Sequence, residues 1–302
     1  MSLRTYTCIA MLAVAPAFAA TTINETRPLN ADGKVQIENL KGRVVVRTWA
    51  QPQVRITGSL GKGVEKLEVE GDAQSLRIGV RYPNSKGGWN LWGRDDHRTE
   101  PSIIEVTLPQ RASVDVETVS ADVDVQQMAG RKLAVSSVSG SVVVTASSPG
   151  QASFENVSGN TTLRITSGKV DAESVSGNIA LQGGLTGEVS MESVSGNLKL
   201  NAQALDRLEG STVSGDMSLQ AALKPAGTIK AETLSGSLEL ILPKSTGAKL
   251  HVESFSGDIR SPSGQVEREE HGPGKWLDTS YGNGQGRIDL ESFSGDVQVT
   301  LN

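Results

Sequence analysis

One short phrase recurs along most of the chain and dictates what it can fold into. Glu192-Ser193-Val194-Ser195-Gly196-Asn197-Leu198-Lys199-Leu200 returns with small changes. The apolar residue before its Ser-Gly falls at Val119, Val138, Val157, Val175, Val194, Val213, Leu234, Phe255 and Phe293. Successive intervals are 19, 19, 18, 19, 19, 21, 21 and 38 residues. A fixed period of this size marks a repeat architecture in which each unit is one supersecondary element. So short a unit encloses too little interior to fold alone, so the units must stack and share one core. The last interval is twice 19 and reads as one coil that has lost the motif.

Within each copy the residues alternate with period two, the signal of a β-strand. Val170, Ala172 and Ser174 face one way, Asp171 and Glu173 the other; Val189, Met191 and Ser193 repeat this, as do Ile288, Leu290 and Ser292. Alternation resumes after the turn at Ile179 and Leu181, Leu198 and Leu200, and Val297 and Val299. The apolar residue before each Ser-Gly is out of phase with this pattern and reads as a corner or bulge. Between the two strands lies Ser-Gly-Asn/Asp. Gly140, Gly159, Gly177, Gly196, Gly215, Gly236, Gly257 and Gly295 are the expected structural turn residues, with φ > 0 at a sharp corner. Ala121 replaces glycine in the first copy. Asn160, Asn178, Asn197, Asp216, Asp258 and Asp296 follow, types that bond their own backbone in turns.

The expectation is therefore an all-β chain: a parallel β-helix or solenoid of about 19-residue coils, right-handed as parallel crossovers are by default. An antiparallel sandwich is the alternative, but sandwiches have no reason to repeat one turn sequence. Low aromatic content, 4%, and 33 glycines suit turn-rich β structure.

Residues 1–19 read as a secretory signal: Arg4, a short apolar run from Cys8 to Ala15, and a small-x-small site at Ala17-Phe18-Ala19. Cleavage would remove Cys8, the only cysteine, leaving no thiol for disulfides or metal. No lipid anchor is expected, and no later stretch reads as a transmembrane anchor. The expected location is therefore periplasmic or extracellular, at the cell surface. Loss of Arg4 leaves 28 Lys and Arg against 34 Asp and Glu, which argues against nucleic acid as a partner.

Residues 20–110 lack Ser-Gly but still alternate, as at Val35-Gln36-Ile37 and Leu76 to Val80, and read as an N-terminal β cap with one or two irregular coils. Such a stack needs its first coil covered. Residues 111–302 hold the repeats, with an irregular excursion at 262–287 that bulges out near the end. The C-terminus is expected to close on the last coil.

Trp49 with the following Val54-Arg55-Ile56, the strand end Val106-Thr107-Leu108-Pro109, and Gly284-Gln285-Gly286-Arg287-Ile288 before the last Ser-Gly carry a family likeness. With the repeats, they resemble the DUF4097 family of exported β-strand-repeat proteins, labelled "putative adhesins". That resemblance implies a β-solenoid of the bacterial envelope with an adhesive or scaffolding role.

The chemistry is sparse. Glu117, Glu155, Glu173, Glu192, Glu232, Glu253 and Glu291 form an outward column that Ser136 and Ser211 interrupt. Stacked carboxylates ~5 Å apart repel and could draw cations, but a solvated, screened column is the simpler reading. Thr118, Ser137, Asn156, Ser174, Ser193, Thr212, Thr233, Ser254 and Ser292 form an inward column whose role is structural. His97, His251 and His271 are scattered, and His251 shares the outward column of Asp171 and Lys230. No phosphate loop, zinc spacing, triad or calcium β-roll repeat appears. No cofactor, metal or catalytic residue is expected. Some β-helices cleave polysaccharides, but such sites gather acids on one coil, whereas here they are spread one per coil. The expected function is a binding surface for an envelope protein or glycan, or a self-associating scaffold. Trp89 and Trp92, in the Gly-rich segment from Lys86 to Gly93, are candidate partner contacts or parts of the cap.

Overall fold

Alternation carried through every repeat makes strands, and strands of equal period make a stack. The computed structural model describes residues 21–83 and 99–302. Every regular element in them is a β-strand, and the strands join in one hydrogen-bonded sheet. In the body of the stack each strand pairs in parallel with the one a repeat later. Val135 lies opposite Phe154, Phe154 opposite Ala172, Val170 opposite Val189 and Leu208 opposite Ile229. These pairings reproduce the sequence intervals, so the fold is solenoid-like.

The inward positions form one core running from Ile23 to Val299. In a single coil Val189, Met191, Leu198 and Leu200 are each at most 2% exposed. Burial of each contributes ~1.5–3 kcal/mol gross, most of which the ordering of the chain offsets.

The order of coils in space departs from their order in sequence at both ends. Strand Lys34–Trp49 lies between Ser113–Gln126 on one side and the pair Ser75–Arg81 and Ser102–Pro109 on the other, all in parallel. It is a full coil: Lys41 faces Ser120 and Gly42 faces Ala121, so Leu40-Lys41-Gly42 is a degenerate copy of the motif. Antiparallel strands then close this end. Gln53–Leu60 pairs with Ser102–Pro109, Thr21–Pro28 with Gln53–Leu60, and Lys66–Gly71 with Ser75–Arg81.

At the other end the last strands of the chain are not outermost. Gly286–Ser294 lies between Met217–Ser235 and Ala248–Ser254, and Val297–Leu301 lies between Leu238–Leu242 and Ile259–Arg260. The 38-residue interval therefore holds no coil without a motif, contrary to its reading as twice 19. Its chain steps over the end of the stack as Lys275–Tyr281, antiparallel to Ala248–Ser254, with Glu267–Arg268 beyond it, and re-enters one layer in. The expected bulge is thus a paired cover. The C-terminus closes between two coils, where the Asn302 amide donates to Leu242 O at 2.8 Å.

Candidate binding groove

The apolar residue before each Ser-Gly does not break the alternation. In Glu173-Ser174-Val175 the glutamate is exposed, the serine buried and the valine 45% exposed. The corner or bulge reading is corrected accordingly: the valine keeps strand phase and faces out beside the glutamate. Val157, Val194 and Val213 are exposed to 44–47%, Leu234 and Phe293 to 52% and Phe255 to 45%. In spatial order these residues make one rail, from Val119 through Val138, Val157, Val175, Val194, Val213, Leu234 and Phe293 to Phe255. The two phenylalanine rings end it as a stack, centroids 4.7 Å apart and 6° from parallel.

The glutamate column runs alongside, two residues back on each strand. A shallow groove between the columns has the hydroxyl column as its floor. One stretch, of about 650 Å³, runs from Glu117 and Val119 to Ser211 and Val213. The next, about 520 Å³, continues to the phenylalanine pair and is bounded by Glu269, Lys275 and Trp276 of the end cover. Burial first, then the neighbouring carboxylates of Glu192, Glu155 and Asp171, hold the Glu173 carboxyl above the ordinary glutamate value. At the opposite end the rail position is Leu40, only 7% exposed. Beside it Glu38 is buried and paired with Arg77. Gln36 Nε2 donates to both Glu38 Oε1 and Glu117 Oε1, at 3.1 and 3.0 Å. Burial pushes the Glu38 carboxyl up, against the pull of Arg77.

Part of the floor is tied into the turns, while the Ser193, Thr212 and Thr233 hydroxyls are buried without a hydrogen-bond partner among the described residues. Ser174 Oγ accepts from the Gly177 amide at 2.8 Å and Ser254 Oγ from Gly257 at 2.9 Å, while Thr118 donates to Ser137 at 3.1 Å. The Asn/Asp column bonds the next coil rather than its own backbone, a correction to the turn reading. The Asn197 amide donates to Asn178 Oδ1 at 3.0 Å, Asp216 to Asn197 Oδ1 at 2.9 Å and Ser237 to Asp216 Oδ1 at 2.8 Å.

The glycines also have a different reason from the one expected. Among the eight turn glycines only Gly236 and Gly295 have φ between +20° and +160°, at 148° and 158°. Gly196 does not. A Cβ there would lie 2.1 Å from the Gly177 carbonyl oxygen, and one on Gly177 would lie 1.9 Å from that of Gly159. At the six others close approach between coils, not a left-handed corner, excludes a side chain, and at Gly236 and Gly295 both do.

His251 keeps its expected outward column, opposite Asp289, which itself faces Lys230. Its Nδ1 lies 2.8 Å from Asp278 Oδ1 and its Nε2 3.0 Å from Glu253 Oε1. The hydrogen bond to Asp278 is the main cause holding the imidazole above its usual value, with burial opposing and Glu253 adding. Trp89, Trp92 and His97 lie outside the described residues. Among the described residues no three His, Cys, Asp or Glu gather as a metal site, and no helix is long and apolar enough to cross a membrane.

A solenoid-like sheet carrying a uniform groove is the architecture of a repeat protein with an extended surface. The sequence profile of the Toastrack DUF4097 family matches residues 34–300, and the chain belongs to that family. Among solved structures it is similar to a "putative adhesin" of Parabacteroides distasonis, with 11% identity, 93% of this chain and 97% of that one covered, and a TM-score of 0.53. A "putative adhesin" of Parabacteroides merdae gives 9%, 92%, 96% and 0.52. A "putative lipid binding protein" of Parabacteroides distasonis gives 13%, 92%, 96% and 0.50. Likeness at these identities concerns the fold. No curated protein matches the chain.

Proposed function

We propose that this is an exported cell-envelope protein whose solenoid presents the groove as an adhesin-like binding surface, with no catalysis of its own. The observation that carries this reading is the rail. A line of apolar side chains over nine coils, seven of them exposed to about half and the last two a stacked aromatic pair, is the kind of patch that marks an interaction site. Buried in the core these residues would stabilise the fold; outside it they serve a partner. The solved structures named as adhesins are in keeping with such a role. The coils, of about 19 residues, wind right-handed in this reading, and residues 1–19 direct export. Trp89 and Trp92 are a second candidate contact in this reading.

The test is retention of envelope material by the immobilised full chain. Phe255→Ser with Phe293→Ser should abolish retention with little change in melting, and Trp89→Ala with Trp92→Ala should weaken it. Unchanged retention by the phenylalanine variant would refute the groove as the surface. The mass of the exported protein should match cleavage after Ala19 or Ala20.

A further inference from the structure

We infer that the occupant of the groove is a cationic, facially amphipathic helix laid along the solenoid axis. This rests on the groove being the binding surface proposed above, and it follows from how the two chemistries are distributed. The acids lie on one side, interrupted at Ser136 and Ser211, and the apolar side chains on the other. An extended strand turns successive side chains to opposite faces and cannot present two lateral flanks at once. A helix can: residues three and four apart form one stripe and the neighbouring stripe differs. An acyl chain would match the valines but leave the carboxylates bare, and an anionic lipid or polymer would be repelled by them.

The charges point the same way. Lys230 pairs with Glu232 and His251 with Glu253, so the C-terminal part of the column has basic partners of its own, the histidine a cation when protonated. Among the described residues Glu155, Glu173 and Glu192 form no ion pair, and they are consecutive, beside Val157, Val175 and Val194. Three unpaired carboxylates one coil apart, ~5 Å each, with aliphatics next to them, call for lysine or arginine heads whose stems cover the apolar rail.

Dimensions agree. The two columns are two residues apart on a strand, ~7 Å, which admits one ridge of side chains rather than a whole helix. A ridge seated in a groove is how helices pack. The coil spacing, ~4.8 Å, and the helix pitch, ~5.4 Å, drift apart over the groove, so the fit demands a stripe and not a fixed sequence. The Phe255–Phe293 stack closes one end and offers its faces to a terminal apolar or cationic side chain.

The probe is a synthetic helix of ~28 residues, ~42 Å long, with leucines on one face and lysines on its flank. Its twin carries glutamates for lysines, and a third peptide alternates lysine and valine as an extended chain. Titration calorimetry and circular dichroism with the full chain should show the lysine helix binding at least tenfold tighter than either. Glu155→Gln with Glu173→Gln and Glu192→Gln should lose about tenfold in affinity. The charge-matched set Glu70→Gln, Glu105→Gln and Glu267→Gln should lose less than twofold. Equal binding of the acidic twin, tighter binding of the extended peptide, or an unaffected groove variant would overturn the inference. If no peptide binds while the phenylalanine variant still loses envelope material, the cationic helix is wrong and the binding surface stands. If retention is also unaffected, both fall.

Discussion

The two ends of the stack solve one problem in the same way and then diverge. Each hides one coil a layer in, Lys34–Trp49 at one end and residues 286–301 at the other, beneath a coil from farther inside the sequence. At the N-terminal end three antiparallel strands cover the result, Arg81 pairs with Glu68 at 2.6 Å, and the rail is buried at Leu40. At the C-terminal end the cover is one seven-residue strand and a two-residue strand, and the rail is open as Phe293 and Phe255. One end is built for closure, whereas the other is closed only as far as the groove allows.

The largest expected effect tests the hidden coil. Ending the chain at Tyr281 removes Ile288, Leu290, Val297 and Val299, each at most 4% exposed. Their burial is worth about 6–12 kcal/mol gross, and two facing edges lose their partner. Hydrogen exchange should show protection lost from Met217 onward and kept at the N-terminal end. Protection retained throughout would mean that the ends are not equivalent even in this respect.

Next, the same rail position should behave oppositely at the two ends. Leu40→Ser places a hydroxyl in a buried site and should cost about 2–4 kcal/mol. Phe293→Ser, at a half-exposed site, should cost under ~1 kcal/mol. Thermal unfolding of the pair decides it, and equal losses would erase the contrast. Between the ends, Gly196→Ala should cost ~2–4 kcal/mol because its methyl meets the carbonyl of the coil before it. Asn197→Ala should cost ~1 kcal/mol, the worth of one hydrogen bond. A Gly196→Ala protein as stable as Asn197→Ala would show that the coils can separate.

The smallest effect belongs to His251, which ties the outermost coil to its cover. Its folded-state pKa is raised, so its contribution is complete below the unfolded value near 6.5 and is lost as pH rises through the folded-state value. The group is partly exposed, which limits the sum to under ~1 kcal/mol. His251→Gln should narrow the melting gap between pH 6 and pH 8.5, and a gap of unchanged size would remove His251 from the account.

The body of the stack was legible because its constraints are local. Val170, Ala172, Ile179 and Leu181 alternate, and Ser-Gly marks each corner. What escaped depends on contacts between coils, which no period reveals. An interval of 38 is equally compatible with a coil and with a step over the end. Lys41 in place of serine hid a tenth copy, though Glu38, Leu40 and Gly42 kept its spacing. The rail was misread as a corner or bulge because its residues are apolar at an outward position, whereas alternation carried one residue further places them outward in strand phase. The glycines were recognised for the wrong reason, since a carbonyl from the neighbouring coil leaves no trace in the residues around Gly196.

At each end of the stack the outermost coil comes from farther inside the sequence than the coil beneath it, so a repeat joined to that inner coil would not fall on the outer face. New length can enter in the middle, where each coil meets its neighbours through the same carbonyl-to-glycine contact and the same side-chain-to-amide bond. Duplicating one internal repeat would leave both closures untouched and extend the groove by one step. Reach is thus a heritable dimension of this molecule, adjustable in whole units without renegotiating how its extremities are sealed.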